Sequence, residues 1–245
     1  MRARFEADGD VIVVSGGANG IGRGLAIAAA GAGARVIVCD VDESAMDSLR
    51  HIGGLSTLPL DVSDRGAVIK ALGEIERELG HIDGLVCAAA IQPRTAAHLM
   101  RAEDWQRVLR INLDGVVWCY QAVAPGMMER RRGSIVAFTS GLAQQGWPQA
   151  SAYAASKAAL IAFAKSAAKE VAPHRVRFNL IAPGVIDTPQ YRAANAGEDD
   201  ARWRHTVGVG HPRDVVGPLL FLLSDAASMT ASMISRDFAY AAEED

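Results

Sequence analysis

Two residues able to do acid–base chemistry stand one helical turn apart in the second half of the chain. Tyr153 and Lys157 are four positions apart in an alanine-rich stretch. This stretch predicts a helix, on which residues at that spacing share one face. A nearby ammonium favours the phenolate, so we expect the pKa of Tyr153 to fall from about 10 toward neutrality. Such a tyrosine gives a proton to a ketone oxygen or takes one from an alcohol.

A serine upstream gives this pair a context. Ser140 lies thirteen residues before Tyr153, at the end of a predicted strand over 134–139. Its hydroxyl can orient a substrate oxygen and stabilise partial charge on it. A Tyr-x-x-x-Lys pair alone is weak evidence, because a surface tyrosine beside a solvated lysine often arises by chance. Ser140 and a glycine-rich loop near the N-terminus make the pair a candidate site.

That loop follows the first predicted strand, over 11–15, and opens the first predicted helix, over 20–32. Glycines allow a tight turn and a close approach of backbone to phosphate, while the helix N-terminus attracts the anion. Three residues separate the first two glycines, unlike the common G-x-G-x-x-G spacing. A turn that binds nothing is the alternative. The residues predicted to contact a dinucleotide here are Gly16, Asn19, Gly20, Ile21 and Gly22.

A carboxylate at the end of the second predicted strand supports the dinucleotide interpretation. Asp40 follows Gly20 by twenty residues, a position from which it accepts hydrogen bonds from ribose hydroxyls and repels a 2′-phosphate. A basic residue at position 19 or 41 would bind that phosphate, but these positions hold Asn19 and Val41. The pattern therefore predicts NAD rather than NADP. A turn or helix-capping role for Asp40 is the alternative.

Short apolar runs alternate with longer helical stretches along the chain. Strands are predicted over 11–15, 36–39, 58–60, 85–88, 134–139 and 177–181, and helices over 20–32, 43–50, 65–79, 102–120, 152–171 and 212–223. This alternation predicts an α/β fold with one Rossmann-like, doubly wound parallel sheet and helices on both faces. We expect a single dinucleotide-binding domain over 1–245. Irregular composition over 188–210 predicts a mobile substrate lid.

Together these motifs resemble the short-chain dehydrogenase/reductase family over essentially the whole chain. The resemblance implies an oxidoreductase in which Ser140, Tyr153 and Lys157 are catalytic, and in which Lys157 also binds the nicotinamide ribose. Asn112, in the segment INLDG, matches the fourth catalytic residue, which holds a proton-relay water beside a kinked helix. Further cofactor contacts implied by the resemblance are Asp61 and Val62 at the adenine, and Pro183, Ile186 and Thr188 at the nicotinamide.

The chain departs from the family pattern in two stretches. The segment Cys87-Ala88-Ala89-Ala90 stands where Asn-Asn-Ala-Gly is usual, and we expect backbone contacts of Cys87, Ala88 and Ala89 to the ribose to survive. Near the C-terminus, Phe238 and Ala231 replace usual glycines. These changes raise a second hypothesis, a dinucleotide-binding sensor or scaffold with weak catalysis. A third is an NADP-dependent carbonyl or 3-oxoacyl reductase, which Asp40 disfavours.

The composition argues against several other classes of protein. Half of the residues are hydrophobic and the formal net charge is −3, which gives no general case for a nucleic-acid partner. No apolar run reaches the length of a membrane span, and the N-terminal residues do not look like a secretory leader. Three widely spaced cysteines lack metal-ligand spacing, so we expect buried thiols, no catalytic metal and a cytoplasmic location.

The substrate is expected beside Ser140 and Tyr153, between walls at 92–95, 142–147 and 189–205. Because no cluster of Arg and Lys is evident there, a neutral alcohol or ketone of moderate size is the expected substrate. The two long helices carry broad apolar faces that one sheet does not cover. In the family these helices pair across a two-fold axis, so the chain is expected to form a homodimer or homotetramer.

Overall fold

Seven parallel strands form the centre of the part of the chain that the computed structural model describes, residues 4–203 and 208–236. The strands are β1 (Val11–Ser15), β2 (Arg35–Asp40), β3 (Leu55–Pro59), β4 (Gly84–Cys87), β5 (Gly133–Phe138), β6 (Val176–Ala182) and β7 (Met233–Ser235). Their order is β3-β2-β1-β4-β5-β6-β7, with parallel pairing at each step. The predicted doubly wound, Rossmann-like sheet is therefore confirmed.

Helices cover both faces of this sheet. They are α1 (Gly20–Gly31), α2 (Glu43–Asp47), α3 (Arg65–Leu79), α4 (Ala102–Leu109), α5 (Gly115–Arg130), α6 (Leu142–Gln145), α7 (Ser151–Val171), α8 (Pro189–Ala194) and α9 (Arg213–Leu223). One core packs α3, α5 and α7 against the sheet, and the other packs α1, α2 and α9. In β1, Val13 faces the first core and Val14 the second, as expected for a strand buried on both sides.

The sheet has its switch point between β1 and β4. From β1 the chain winds outward through β2 and β3, then returns to β4 on the other side of β1 and winds the opposite way. The chain therefore leaves β1 and β4 toward opposite sides of the sheet, and a crevice opens at the carboxyl ends of these strands. Ligands of doubly wound sheets bind in this crevice.

Two elements differ from the sequence-based expectation. The helix predicted over 102–120 is interrupted by a π-helical turn at Arg110–Asp114 and then continues as α5 to Arg130. β7 was not among the predicted strands, although it completes the sheet beside β6. It is only three residues long, too short for a strand pattern to show in the sequence.

The predicted lid and C-terminus are described in part. Within 188–210 the chain forms α8 and a 3₁₀ turn at Asp200–Trp203, whereas residues 204–207 lie outside the described residues. His205, at the end of a predicted substrate wall, and Phe238 also lie outside them. No helix in the described ranges is long and apolar enough to span a membrane.

Candidate active site

A cavity of about 1260 Å³ opens at the carboxyl edge of the sheet, over the switch point. It brings together predicted residues from seven separate stretches of the sequence. Those predicted from the sequence that line it are Gly16, Asn19, Gly20, Ile21, Gly22, Asp40, Val41, Asp61, Val62, Ala88, Ala89, Ser140, Tyr153, Lys157, Pro183, Ile186 and Thr188. Two other predicted residues, Cys87 and Asn112, lie behind its walls.

The glycine loop has the features of an anion site. Gly16 has a φ of +70°, and a Cβ there would lie 2.3 Å from the backbone nitrogen of Ala89, so the loops after β1 and β4 touch only because this residue is glycine. Asn19 is the N-cap of α1, yet its side chain makes no bond to the first-turn amides. It donates instead to the carboxylate of Asp42, at 3.0 Å. The amides at the start of α1 thus face the cavity without a side-chain cap, and they fit a pyrophosphate.

Asp40 combines the two roles weighed for it. Its carboxylate accepts backbone hydrogen bonds from Ala18 at 2.9 Å, Val41 at 2.8 Å and Asp42 at 3.1 Å, so it braces the turns after β1 and β2. It also lines the cavity. A carboxylate has about four acceptor sites, so three amide bonds leave capacity for a ribose hydroxyl. Asp42 adds a second negative charge close by, which disfavours a phosphate on that ribose.

Of the other residues predicted to contact the cofactor, Thr188 lines the cavity wall, whereas the side chain of Cys87 lies in the hydrophobic core. Thr188 packs beside Gly20, and its side chain caps α8 by accepting from the amide of Tyr191 at 3.1 Å. Cys87, in contrast, is 2% exposed, and its side chain belongs to the core beside Cys119. A hydrogen bond with Cys119, together with burial, raises the pKa of the Cys87 thiol. The backbone after it, at Ala88 and Ala89, is what reaches the cavity.

Ser140, Tyr153 and Lys157 meet where β5 ends against the first turns of α7. The ammonium of Lys157 is buried and donates to the carbonyl of Phe138 at 2.8 Å, with its nitrogen 5.7 Å from the centre of the Tyr153 ring. The Ser140 side chain hydrogen-bonds the phenol, which favours the phenolate. The hydroxyl of Thr139 donates to the backbone carbonyl of Lys157 at 3.1 Å and so fixes α7 to the end of β5.

The pKa of Tyr153 does not follow the expected direction. Burial raises it to about 12, against the opposing effects of the Ser140 hydrogen bond and the positive charge of Arg94. Lys157 does not lower it, because burial also destabilises the ammonium and lowers the pKa of Lys157 to about 8. The expected depression was therefore wrong for the protein without its cofactor. Spacing indicates proximity, but the desolvation of both groups depends on the tertiary structure.

Asn112 sits in the π-helical turn and holds the segment after β4. Its side chain accepts from the amide of Ile91 at 2.8 Å and donates to the carbonyl of the same residue at 2.9 Å. It also donates to the hydroxyl of Ser156 at 3.2 Å, and Ser156 donates to the carbonyl of Tyr153 at 2.7 Å. Asn112 thus connects the cavity wall at Ile91 to the turn of α7 that carries Tyr153. Ser156 gave no signal in the sequence.

Arg94 is a further site residue that the sequence did not single out. It lies in the segment after β4, is half-buried, lines the cavity and lowers the pKa of Tyr153 by its charge. The predicted wall over 92–95 contained it, but one basic residue in a loop does not show which way it faces. Among the described residues, no group of three or more His, Cys, Asp or Glu side chains is placed to hold a metal ion.

Comparisons with known proteins identify a matching family and several similar chains. A family model described as enoyl-(acyl carrier protein) reductase matches residues 16–237. The 3-oxoacyl-[acyl-carrier-protein] reductase FabG of Thermotoga maritima is 35% identical over 234 residues, covering 93% of this chain and 95% of that protein. The 2-dehydro-3-deoxy-L-rhamnonate dehydrogenase (NAD(+)) of a Sphingomonas species is 36% identical over 183 residues, 74% of each chain.

Solved structures show the same fold at similar identity. The crystal structure of gox2181 superposes with a TM-score of 0.88 at 36% identity over 95% of both chains. A short-chain type dehydrogenase/reductase from Mycobacterium marinum gives a TM-score of 0.86 at 33% identity, over 95% of this chain and 96% of that one. This chain therefore belongs to the short-chain dehydrogenase/reductase family of oxidoreductases, as its motifs predicted.

Proposed function

We propose that this chain interconverts a secondary alcohol and a ketone by hydride transfer with NAD(H), using Tyr153 as the general acid and base. One observation carries the proposal. Ser140, Tyr153 and Lys157 converge on the same cavity as an uncapped helix N-terminus and the carboxylate of Asp40. This arrangement supports a dinucleotide site next to an acid–base group in one cavity.

The division of labour follows from the contacts. When bound, the nicotinamide ring exchanges a hydride with the substrate carbon, and its oxidised form brings a positive charge to the site. In ketone reduction, the protonated phenol of Tyr153 gives its proton to the substrate oxygen, which suits a pKa of about 12. Ser140 donates to the same oxygen and stabilises its partial charge. In alcohol oxidation the phenolate takes the proton, so nearby positive charge assists this direction.

Asp40 supports NAD as the cofactor, together with Asp42. We expect NADH to bind about tenfold or more tightly than NADPH, because the carboxylate of Asp40 lines the cavity and that of Asp42 adds negative charge near it. The test is a fluorescence titration of the wild-type protein with each cofactor. Asp40→Asn is expected to reduce the ratio of the affinity for NADH to that for NADPH. Asp64→Asn is the matched control, since Asp64 lines the cavity but serves as an N-cap, a role that asparagine fills equally well. Tighter binding of NADPH by the wild type would overturn the assignment.

An NADP-dependent 3-oxoacyl reductase is the second candidate, and the name of the Thermotoga relative favours it. The two candidates differ in both cofactor and substrate. Reduction of acetoacetyl-coenzyme A with NADPH, at a kcat/KM above that for simple ketones with NADH, would establish this second candidate. We also propose a reducing, cytoplasmic location, which suits three buried free thiols at Cys39, Cys87 and Cys119.

A further inference from the structure

Arg94 places a positive charge on the wall of the cavity that holds the acid–base group. Arg94 lies in the segment after β4 and is half-buried, and it lines the same cavity as Ser140 and Tyr153. This cation was not expected, because the sequence suggested a neutral substrate. A guanidinium kept partly away from water attracts an anion more strongly than an exposed one does, since the local dielectric constant is lower.

Two hydrogen bonds fix the orientation of this guanidinium. Its Nε donates to the carbonyl of Ala194 at 3.2 Å, and its Nη2 donates to the side-chain oxygen of Asn195 at 3.2 Å. Asn195 is itself held, because its amide nitrogen donates to the carbonyl of Tyr191 at 2.8 Å. The acceptors of these two bonds are uncharged, so these bonds orient the guanidinium without neutralising it. Arg94 is thereby fixed between the segment after β4 and the end of α8.

The charge of Arg94 acts at the reacting end of the cavity. It is felt by the phenol of Tyr153, whose pKa it lowers. Arg65 also lines the cavity, but it comes from the stretch that follows the predicted adenine contacts and stacks over Trp118 at 5.3 Å. Arg94 and Arg65 therefore belong to different parts of the cavity, whose lining also includes Arg107 of α4 and Arg110 of the π-helical turn. A substrate bound at Tyr153 is therefore close enough to interact with the positive charge of Arg94.

We propose that the substrate is a hydroxy acid or oxo acid whose carboxylate pairs with Arg94 while its alcohol or ketone carbon lies at Ser140 and Tyr153. The planar guanidinium matches a carboxylate in shape and charge. This inference rests on the proposed function. In the reduction direction the carbonyl carbon gains a hydride from NADH and the carbonyl oxygen gains the proton of Tyr153, giving the hydroxy acid and NAD⁺. In oxidation both transfers reverse.

The test compares each oxo acid with its uncharged amide of nearly equal size. Suitable pairs are 2-oxobutanoate with 2-oxobutanamide, acetoacetate with acetoacetamide, and 4-oxopentanoate with its amide, which vary the distance between carbonyl and carboxylate. For the best pair we expect the wild-type kcat/KM to be about 10- to 100-fold higher for the acid, the range of one charge-assisted hydrogen bond. A preference for the amide in all pairs would overturn the proposal.

Arg94→Gln is expected to reduce this acid-to-amide ratio to near one, mainly through the KM of the acid. Arg65→Gln, which makes the same change of charge elsewhere in the cavity, should keep the wild-type ratio. If Arg94 only fastened α8, Arg94→Gln would slow acid and amide by the same factor, and the inference would be wrong. Arg94→Lys separates the effect of charge from that of the planar guanidinium. Because lysine keeps the positive charge, this variant should prefer the acid more than Arg94→Gln does, but less than the wild type does.

Failure of the underlying function looks different in the same experiment. If the proposed function is wrong, neither acids nor amides are reduced with NADH, or reduction persists in Tyr153→Phe. If only the inference on Arg94 is wrong, amides and neutral ketones are reduced in a Tyr153-dependent manner while the acids gain nothing from Arg94.

Discussion

At the scale of single residues, Lys157 shows how this site opposes stability. Its side chain is 2% exposed, and burial lowers its pKa from 10.5 to about 8. Between these values the unfolded chain binds more protons than the folded one, so the contribution of Lys157 to the free energy of unfolding rises with pH. It is complete only above pH 10.5 and is lost as pH falls through 8. The difference amounts to about 3 kcal/mol at most.

This linkage gives a prediction for the protein without cofactor. Between pH 7 and 10 the wild type should gain about 2 kcal/mol of unfolding free energy relative to Lys157→Met, which has no charge to titrate. Urea unfolding at each pH measures the difference. Above pH 10 the comparison becomes less simple, because the raised pKa of Tyr153 then lowers stability as pH rises. Lys165→Met, an exposed position of the same helix, is expected to follow the wild-type curve. Parallel curves for wild type and Lys157→Met would contradict the argument.

At the scale of elements, the approach to β7 contains a strained alanine. Ala231 replaces the glycine expected after Thr230, yet its φ is +57°, the left-handed region that favours glycine. Its amide donates to the carbonyl of Phe178 at 2.9 Å, so pairing with β6 holds it in this conformation. Ala231 therefore adopts a backbone conformation that favours glycine although it carries a side chain.

Ala231→Gly is expected to raise the free energy of unfolding by about 1 kcal/mol, because it removes this strain. Denaturant unfolding measures the effect. The same substitution at Ala71, within α3, should instead lower stability by about 1 kcal/mol, since glycine costs a helix backbone entropy. Equal destabilisation by both variants would show that Ala231 is not strained in solution.

The elements also show what the sequence could and could not predict. The glycine loop, Asp40 and the six longer strands were predictable, because local spacing and apolar runs encode them. The break at Arg110–Asp114 was implied only by the family resemblance, because local spacing does not encode the bonds of Asn112 to Ile91 and Ser156, which are far away in sequence. The pKa of Tyr153 and the direction of Arg94 were beyond the sequence for the same reason. Both depend on which groups the fold removes from water.

At the scale of the whole molecule, the outer face of α7 favours self-association. Ala155, Ala158, Ala159 and Ala162 share one side of this helix and are half-buried or exposed in the single chain. Trp105, on α4, is also exposed, at 38%. Small side chains allow two helices to approach closely, and most soluble oligomers are symmetric. We therefore propose a homodimer or homotetramer built on these helices.

Sedimentation at micromolar concentration tests the assembly. The wild type is expected to sediment as a dimer or tetramer, and Ala162→Arg should shift it toward the monomer by placing a charge in the helix contact. Ala193→Arg, an equally exposed alanine in α8, should leave the assembly intact. A wild-type protein that is monomeric throughout would contradict the proposal.

The most direct test of the central claim is turnover itself, followed by NADH absorbance with a panel of ketones and oxo acids, and in reverse with secondary alcohols, sugars and dihydrodiols. We predict turnover by the wild type and a loss of about 10²- to 10⁴-fold in Tyr153→Phe, with NADH binding retained. Undiminished turnover in that variant would remove Tyr153 as the acid–base group. Tight binding of NADH with no turnover of any compound would contradict the enzyme assignment and favour a dinucleotide sensor.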